Sequence, residues 1–198
     1  MVNANFLRRI KKKVPGKDQI KNLIRKQKKY LEENVINIEN NNKLTKAEKS
    51  KKIIFLFASV CAGIATQPIP FPDLVVLSPI QILMTERLAA VWGLKGKVSK
   101  KDIALDVVQV SGYGLVAQSL ITNAYRIFIP ALGALTTIPM VFGLTYAIGN
   151  VMSEQFKRKS KGLASMTDKE MKEMFKKFKK KGGKEYKKGD EINIDKTV

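Results

Sequence analysis

Side chains that could carry covalent chemistry are scarce in this chain. Its 198 residues include no histidine and one cysteine, Cys61. Histidine catalysis, histidine metal ligation and an intrachain disulfide framework are therefore excluded. Asp102 and Asp106 are four apart and share one face of any helix that carries them. Without a second acidic cluster they read as the solvated end of a helix. Gly93-Leu94-Lys95-Gly96-Lys97 is too short for a phosphate-binding loop and has no strand before it, and Gly112-Tyr113-Gly114 is not a nucleotide signature. No serine or cysteine has a candidate base. The expectation is a non-enzymatic protein with no catalytic residue, cofactor or metal site.

Positive charge, by contrast, is abundant. The chain holds 37 Lys/Arg against 17 Asp/Glu, a formal net charge of +20. Residues 1–52 carry a net +11, residues 53–156 only +1, and residues 157–198 a net +8. Cationic arms around a neutral middle suit an anionic partner, either a membrane surface or nucleic acid. The densest cations, Lys11, Lys12, Lys13, Lys28 and Lys29 in one arm and Lys176, Lys177, Lys179, Lys180 and Lys181 in the other, are the candidate lipid contacts.

The neutral middle separates these two partners. Twenty uncharged residues lie between Lys52 and Asp73, and 27 lie between Arg126 and Glu154. About 20 apolar residues cross a bilayer core, whereas a nucleic-acid binder gains nothing from such runs. Anionic membrane lipids are the expected partners and nucleic acid is disfavoured. A second copy of the chain or another protein is a further candidate.

Each apolar run is interrupted by proline. Pro68, Pro70 and Pro72, followed by Asp73, interrupt the first, and Pro130 with Gly133 the second. Proline removes a backbone donor and biases the preceding residue away from helix, so both sites read as turns. The fold expected is all-α: two Pro-turned hairpins of four long helices, flanked by basic amphipathic helices. Three segments follow, namely an N-terminal arm over 1–45, a membrane-associated double hairpin over 46–156, and a C-terminal helix with a disordered tail over 157–198.

Local signals place the helices. Ile20, Leu23, Ile24 and Leu31 fall at helical spacing among cations, and this face can lie on lipid or on the protein's own bundle. Thr45-Lys-Ala-Glu48 and Thr167-Asp-Lys-Glu170 have capping-box spacing. Asp73 is placed to cap a returning helix over 74–92, and Ser99 to cap a third helix over 100–128. Met171, Met174, Phe175 and Phe178 line one face of a basic helix that suits a membrane or a partner groove, with Lys181-Gly182-Gly183 as its stop. Gln81, with Ser78 and Thr85, and the adjacent pair Glu86/Arg87 put polar groups in the returning helix, as Arg126 does in the third. Charges at bilayer depth normally face protein or water, so these residues are expected between helices, unless the hairpin is only shallowly inserted. Both tails and the 95–101 loop are basic, which under the positive-inside tendency places all three, with both termini, on the cytoplasmic side, each inserted hairpin entering and returning as a spanning or re-entrant unit. The N-terminus, basic and separated from the first apolar run, does not read as a secretory signal.

Pro68-x-Pro70-x-Pro72-Asp73, Gln81-x-x-Met84, Tyr113 between two glycines, Ile129-Pro130-x-x-Gly133 and Ala147-x-Gly149 together resemble the bacterial family catalogued as domain of unknown function 697, over about residues 50–180. The resemblance implies a helical domain of the bacterial inner membrane or another intracellular membrane, in some members joined to an Era-like GTPase domain. It carries no catalytic residues, and this chain has no GTPase domain of its own. A separate GTPase partner is the weaker implication. The competing reading is a soluble helical-bundle adaptor whose basic arms bind an acidic protein or nucleic acid.

Overall fold

The structure, a computed structural model, describes residues 17–65, 77–112 and 130–188. Among these the regular elements are six helices: α1 (Lys17–Glu39), α2 (Lys46–Ile64), α3 (Ser78–Val91), α4 (100–112), α5 (Pro130–Ser160) and α6 (Asp168–Lys188). Among the described residues the chain is all-helical, as periodicity predicts.

Both capping boxes form. The Glu48 amide donates to Thr45 Oγ1 at 3.3 Å, and the Thr45 amide donates to Glu48 Oε2 at 2.8 Å. Two of the amides that a helix start leaves without partners are thereby satisfied. These bonds hold the Glu48 carboxyl below its usual range. Thr167 and Glu170 repeat the arrangement at 3.3 and 2.7 Å at the start of α6. The Asp102 amide donates to Ser99 Oγ at 3.0 Å, so α4 begins where its sequence cap predicts.

Helix α5 is the centre of the bundle. Residues 141–149 are buried on every side of it, the pattern of a core helix rather than a surface one. It packs against α2, α3 and α6. Ile54 meets α5 at Gly149 and Phe55 meets it at Phe142, with Cys61 beside Thr145. Gln81 of α3 meets Thr145 and Trp92 meets Ser153, so α3 runs parallel to α5. Leu77, the start of α3, therefore lies toward the Pro139–Val141 end of α5.

The terminal helices are part of this core. Leu31 and Val35 of α1 are completely buried, and Phe175 of α6 is almost so, in one cluster with the interior of α2, α3 and α5. The apolar face that the sequence offers to lipid or to a partner groove is thus covered by the chain's own helices. A single amphipathic helix cannot reveal which apolar surface will cover it.

Two turn assignments change. Lys181-Gly182-Gly183 does not stop α6, which continues to Lys188. Its glycines serve a close helix crossing instead. A Cβ on Gly143 would stand 2.8 Å from the Lys179 carbonyl oxygen, and one on Gly182 would stand 3.0 Å from Tyr146 Cβ and 3.1 Å from Gly143 Cα. Gly133 lies inside α5 rather than in a turn, and Pro130 is the first residue of that helix, where a missing N–H costs no helical bond. Pro68, Pro70, Pro72, Asp73 and Arg126 lie outside the described residues.

The crossing gives a direct stability prediction. Gly143→Val is expected to destabilise the fold by about 2–3 kcal/mol, because the atom it meets is backbone and cannot rotate away. At about 2–4 °C per kcal/mol for a chain of this size, the melting temperature should fall by about 4–12 °C. Gly63, where an added Cβ would meet nothing within 4 Å, is the control: Gly63→Ala should be neutral or stabilising. An unchanged melting temperature for Gly143→Val would mean that the crossing is looser than its distances indicate.

No described helix is long and apolar enough to cross a membrane. A spanning topology for the hairpins is therefore not supported among the described residues. In α2 the longest uncharged stretch is residues 53–64, and α3 is Ser78–Val91 with Glu86 and Arg87 within it.

Candidate functional site

The polar residues of α3 face protein. Gln81 is 2% exposed and donates from Nε2 to Thr145 Oγ1 at 3.2 Å, while Thr85 Oγ1 donates to the Gln81 carbonyl at 2.9 Å. Cys61 is fully buried beside Thr145, and its thiol is pushed up to about 12 by desolvation. These groups satisfy one another within the core, so the stripe Gln81/Thr85 is a packing feature between helices.

The charged pair Glu86/Arg87 is divided between two neighbours. Arg87 reaches Glu39 at 3.6 Å and Glu32 at 3.9 Å, both on α1, and Glu86 reaches Lys100 at 3.4 Å. Burial raises the Glu39 carboxyl above its ordinary value despite the opposing pull of Arg87. Arg87 therefore ties α1 to the bundle by charge where Leu31 and Val35 tie it by burial.

Of the predicted lipid contacts, Lys29, Lys176, Lys177, Lys180 and Lys181 are exposed and Lys28 and Lys179 are half-buried. Burial lowers the Lys179 ammonium. Lys11, Lys12 and Lys13 lie outside the described residues. On α6 the cations border a shallow depression shared with α5, where Lys176, Lys179, Lys180 and Lys184 stand around Pro139, Met140 and Gly143. On α1, Lys21, Arg25, Lys28 and Lys29 border a second one.

Their placement follows from topology. The C-terminal half of α6 lies along residues 139–146 of α5, since Gly183 approaches the Pro139 carbonyl and Phe178 the Tyr146 ring. Helix α1 folds back on α2 through the short 40–45 connection, with Asn34 beside Phe55 and Leu56 in a shared cleft. The residues two turns earlier in α1, Lys28 and Arg25, are thereby directed along α2 toward Ile64. The lysine loop 95–101 follows Trp92, which bonds Ser153, and so belongs to the other end of α5. The lysine loop and the α6 lysines thus lie toward opposite ends of α5, because α6 returns along that helix.

The bundle end that includes Leu77 and Pro139–Val141 is consequently flanked by cations from α6, with those of α1 directed toward it. Helix α2 ends at Ile64 and α3 begins at Ser78. Sequence reading found the lysines but not the crossing glycines Gly143 and Gly182, whose only signal was a Gly-Gly pair that also fits a helix stop.

A separate cleft of about 620 Å³ opens between α1, α2, α5 and α6. Tyr146 lines it with Glu185, and burial together with that carboxylate pushes the phenol up to about 12. Among the described residues, no cluster of acidic, cysteine or histidine side chains could hold a metal ion. No family model, curated protein or solved structure matches this chain.

Proposed function

We propose that this chain is a non-enzymatic protein of an anionic membrane surface, held there peripherally by the cations of α6 and α1. The observation that carries the reading is the position of the α6 lysines beside the Pro139–Val141 end of the bundle, the end at which α3 begins. Phosphate headgroups attract each nearby Lys or Arg by about 1 kcal/mol. Because α1 and α6 bury their apolar faces in the core, electrostatics supplies the first contact. An accessory role beside a GTPase, implied by the family resemblance, belongs to this proposal as a secondary element.

Sedimentation with vesicles of phosphatidylcholine, with and without phosphatidylglycerol, tests it. The protein is expected to pellet with the anionic vesicles and to be released progressively by salt. Equal recovery on both vesicle types would overturn the electrostatic reading. The burial of the α1 and α6 apolar faces also favours a second reading, a soluble adaptor for an acidic protein or nucleic acid. Failure to pellet, together with salt-steep binding to a nucleic acid, would establish that reading instead.

A further inference from the structure

The cleft between α1, α2, α5 and α6 combines two chemistries in its wall. Ile38, Leu44, Phe55 and Leu56 supply apolar surface, while Lys51, Lys52 and Lys181 supply cations, against the single carboxylate Glu185. Glu185 stands 3.5 Å from Lys181, which leaves the wall with a net positive charge. Asn34, Asn37 and Asn41, along one side of α1 and just past its end, add amide donors and acceptors. The volume, about 620 Å³, is that of a small-molecule site, which typically spans roughly 300–1,000 Å³. A protein partner would need a broad surface of about 800 Å² on each side instead.

We infer that this cleft binds one single-chain anionic amphiphile, with its tail on the Ile38–Leu56 surface and its charged head among Lys51, Lys52 and Lys181. An apolar tail alone would leave the excess positive charge of the wall unused, and an inorganic anion alone would leave the apolar wall wet. The two requirements together select a ligand with both parts. The inference deepens the membrane reading by giving the protein a lipid-derived ligand separate from its surface contact with the bilayer.

Dodecyl phosphate below its micellar concentration is the probe, titrated into the full chain by calorimetry and followed by the side-chain amide signals of Asn34, Asn37 and Asn41. One equivalent is expected to bind and to shift those signals. Dodecyl maltoside, with the same tail and no charge, and inorganic phosphate, with no tail, should each bind at least about ten-fold more weakly. Lys51→Glu with Lys52→Glu should weaken dodecyl phosphate by at least about ten-fold, since a charged hydrogen bond contributes more than a neutral one. Asn37→Trp, at an exposed helix position, should block the cleft while vesicle binding persists. Equal binding of the maltoside, equal binding of inorganic phosphate, or an unchanged affinity in both variants would each overturn the inference. Vesicle binding without dodecyl phosphate binding would sink this inference and leave the surface reading standing. Dodecyl phosphate binding without vesicle binding would do the reverse.

Discussion

Replacing Lys176, Lys177, Lys180 and Lys184 together by glutamine is expected to weaken binding to anionic vesicles by roughly a hundred- to a thousand-fold. All four are exposed on α6, so the fold should persist. Each contributes about 1 kcal/mol near an anionic surface, and every 1.4 kcal/mol is a factor of ten. The informative control removes equal charge elsewhere. Lys95, Lys97, Lys100 and Lys101 are also exposed, but they follow Trp92 at the Ser153 end of α5. From Val141 to Ser153 the helix rises about 18 Å, beyond the Debye length of about 10 Å at 0.1 M salt. Neutralising that loop should therefore change binding little. Equal losses in the two variants would mean that net charge alone governs attachment, and the oriented-end picture would fail.

Cys61 supplies the second large effect. Its thiol is fully buried, and desolvation pushes it up to about 12, whereas an unfolded cysteine titrates near about 8.5. At pH 8 the folded thiolate population is accordingly smaller by a factor on the order of a thousand, and reagent access is blocked as well. Maleimide labelling of the native protein should run at least about a thousand-fold slower than labelling of the unfolded chain. The sign of the linked stability effect follows. The folded thiol retains its proton where the unfolded one has lost it, so this group's contribution is present at neutral pH and declines as pH rises past about 8.5. On anionic vesicles the slow labelling should persist, because peripheral attachment leaves α2 packed on α5. Fast labelling on vesicles alone would mean that the bundle opens and its apolar helices enter the bilayer, restoring the inserted hairpins in place of a surface-bound bundle.

The helix starts were legible because capping is local. Thr45 with Glu48, and Thr167 with Glu170, need only a spacing of three, and the bonds form as that spacing requires. The exposure of Lys29, Lys176, Lys177, Lys180 and Lys181 was legible in the same way, since a lysine on the polar face of an amphipathic helix is solvated whatever covers the opposite face. Helix ends were harder. Gly182-Gly183 has the composition of a stop, yet the same residues allow α6 to cross α5 at Gly143, and only the partner helix decides between these uses.

Residue order by itself determined the all-helical class, the caps, the neutral middle and the cationic arms, because propensity, hydrogen-bond spacing and charge act within a few residues. Tertiary structure alone decided what each apolar face touches. It buried Phe175 and Leu31 in the chain's own core, set Gln81 against Thr145, and divided Glu86 and Arg87 between Lys100 and α1. The physical reason is that apolar burial is non-directional. A hydrophobic stripe specifies that it must be covered, and the assembled bundle specifies by what.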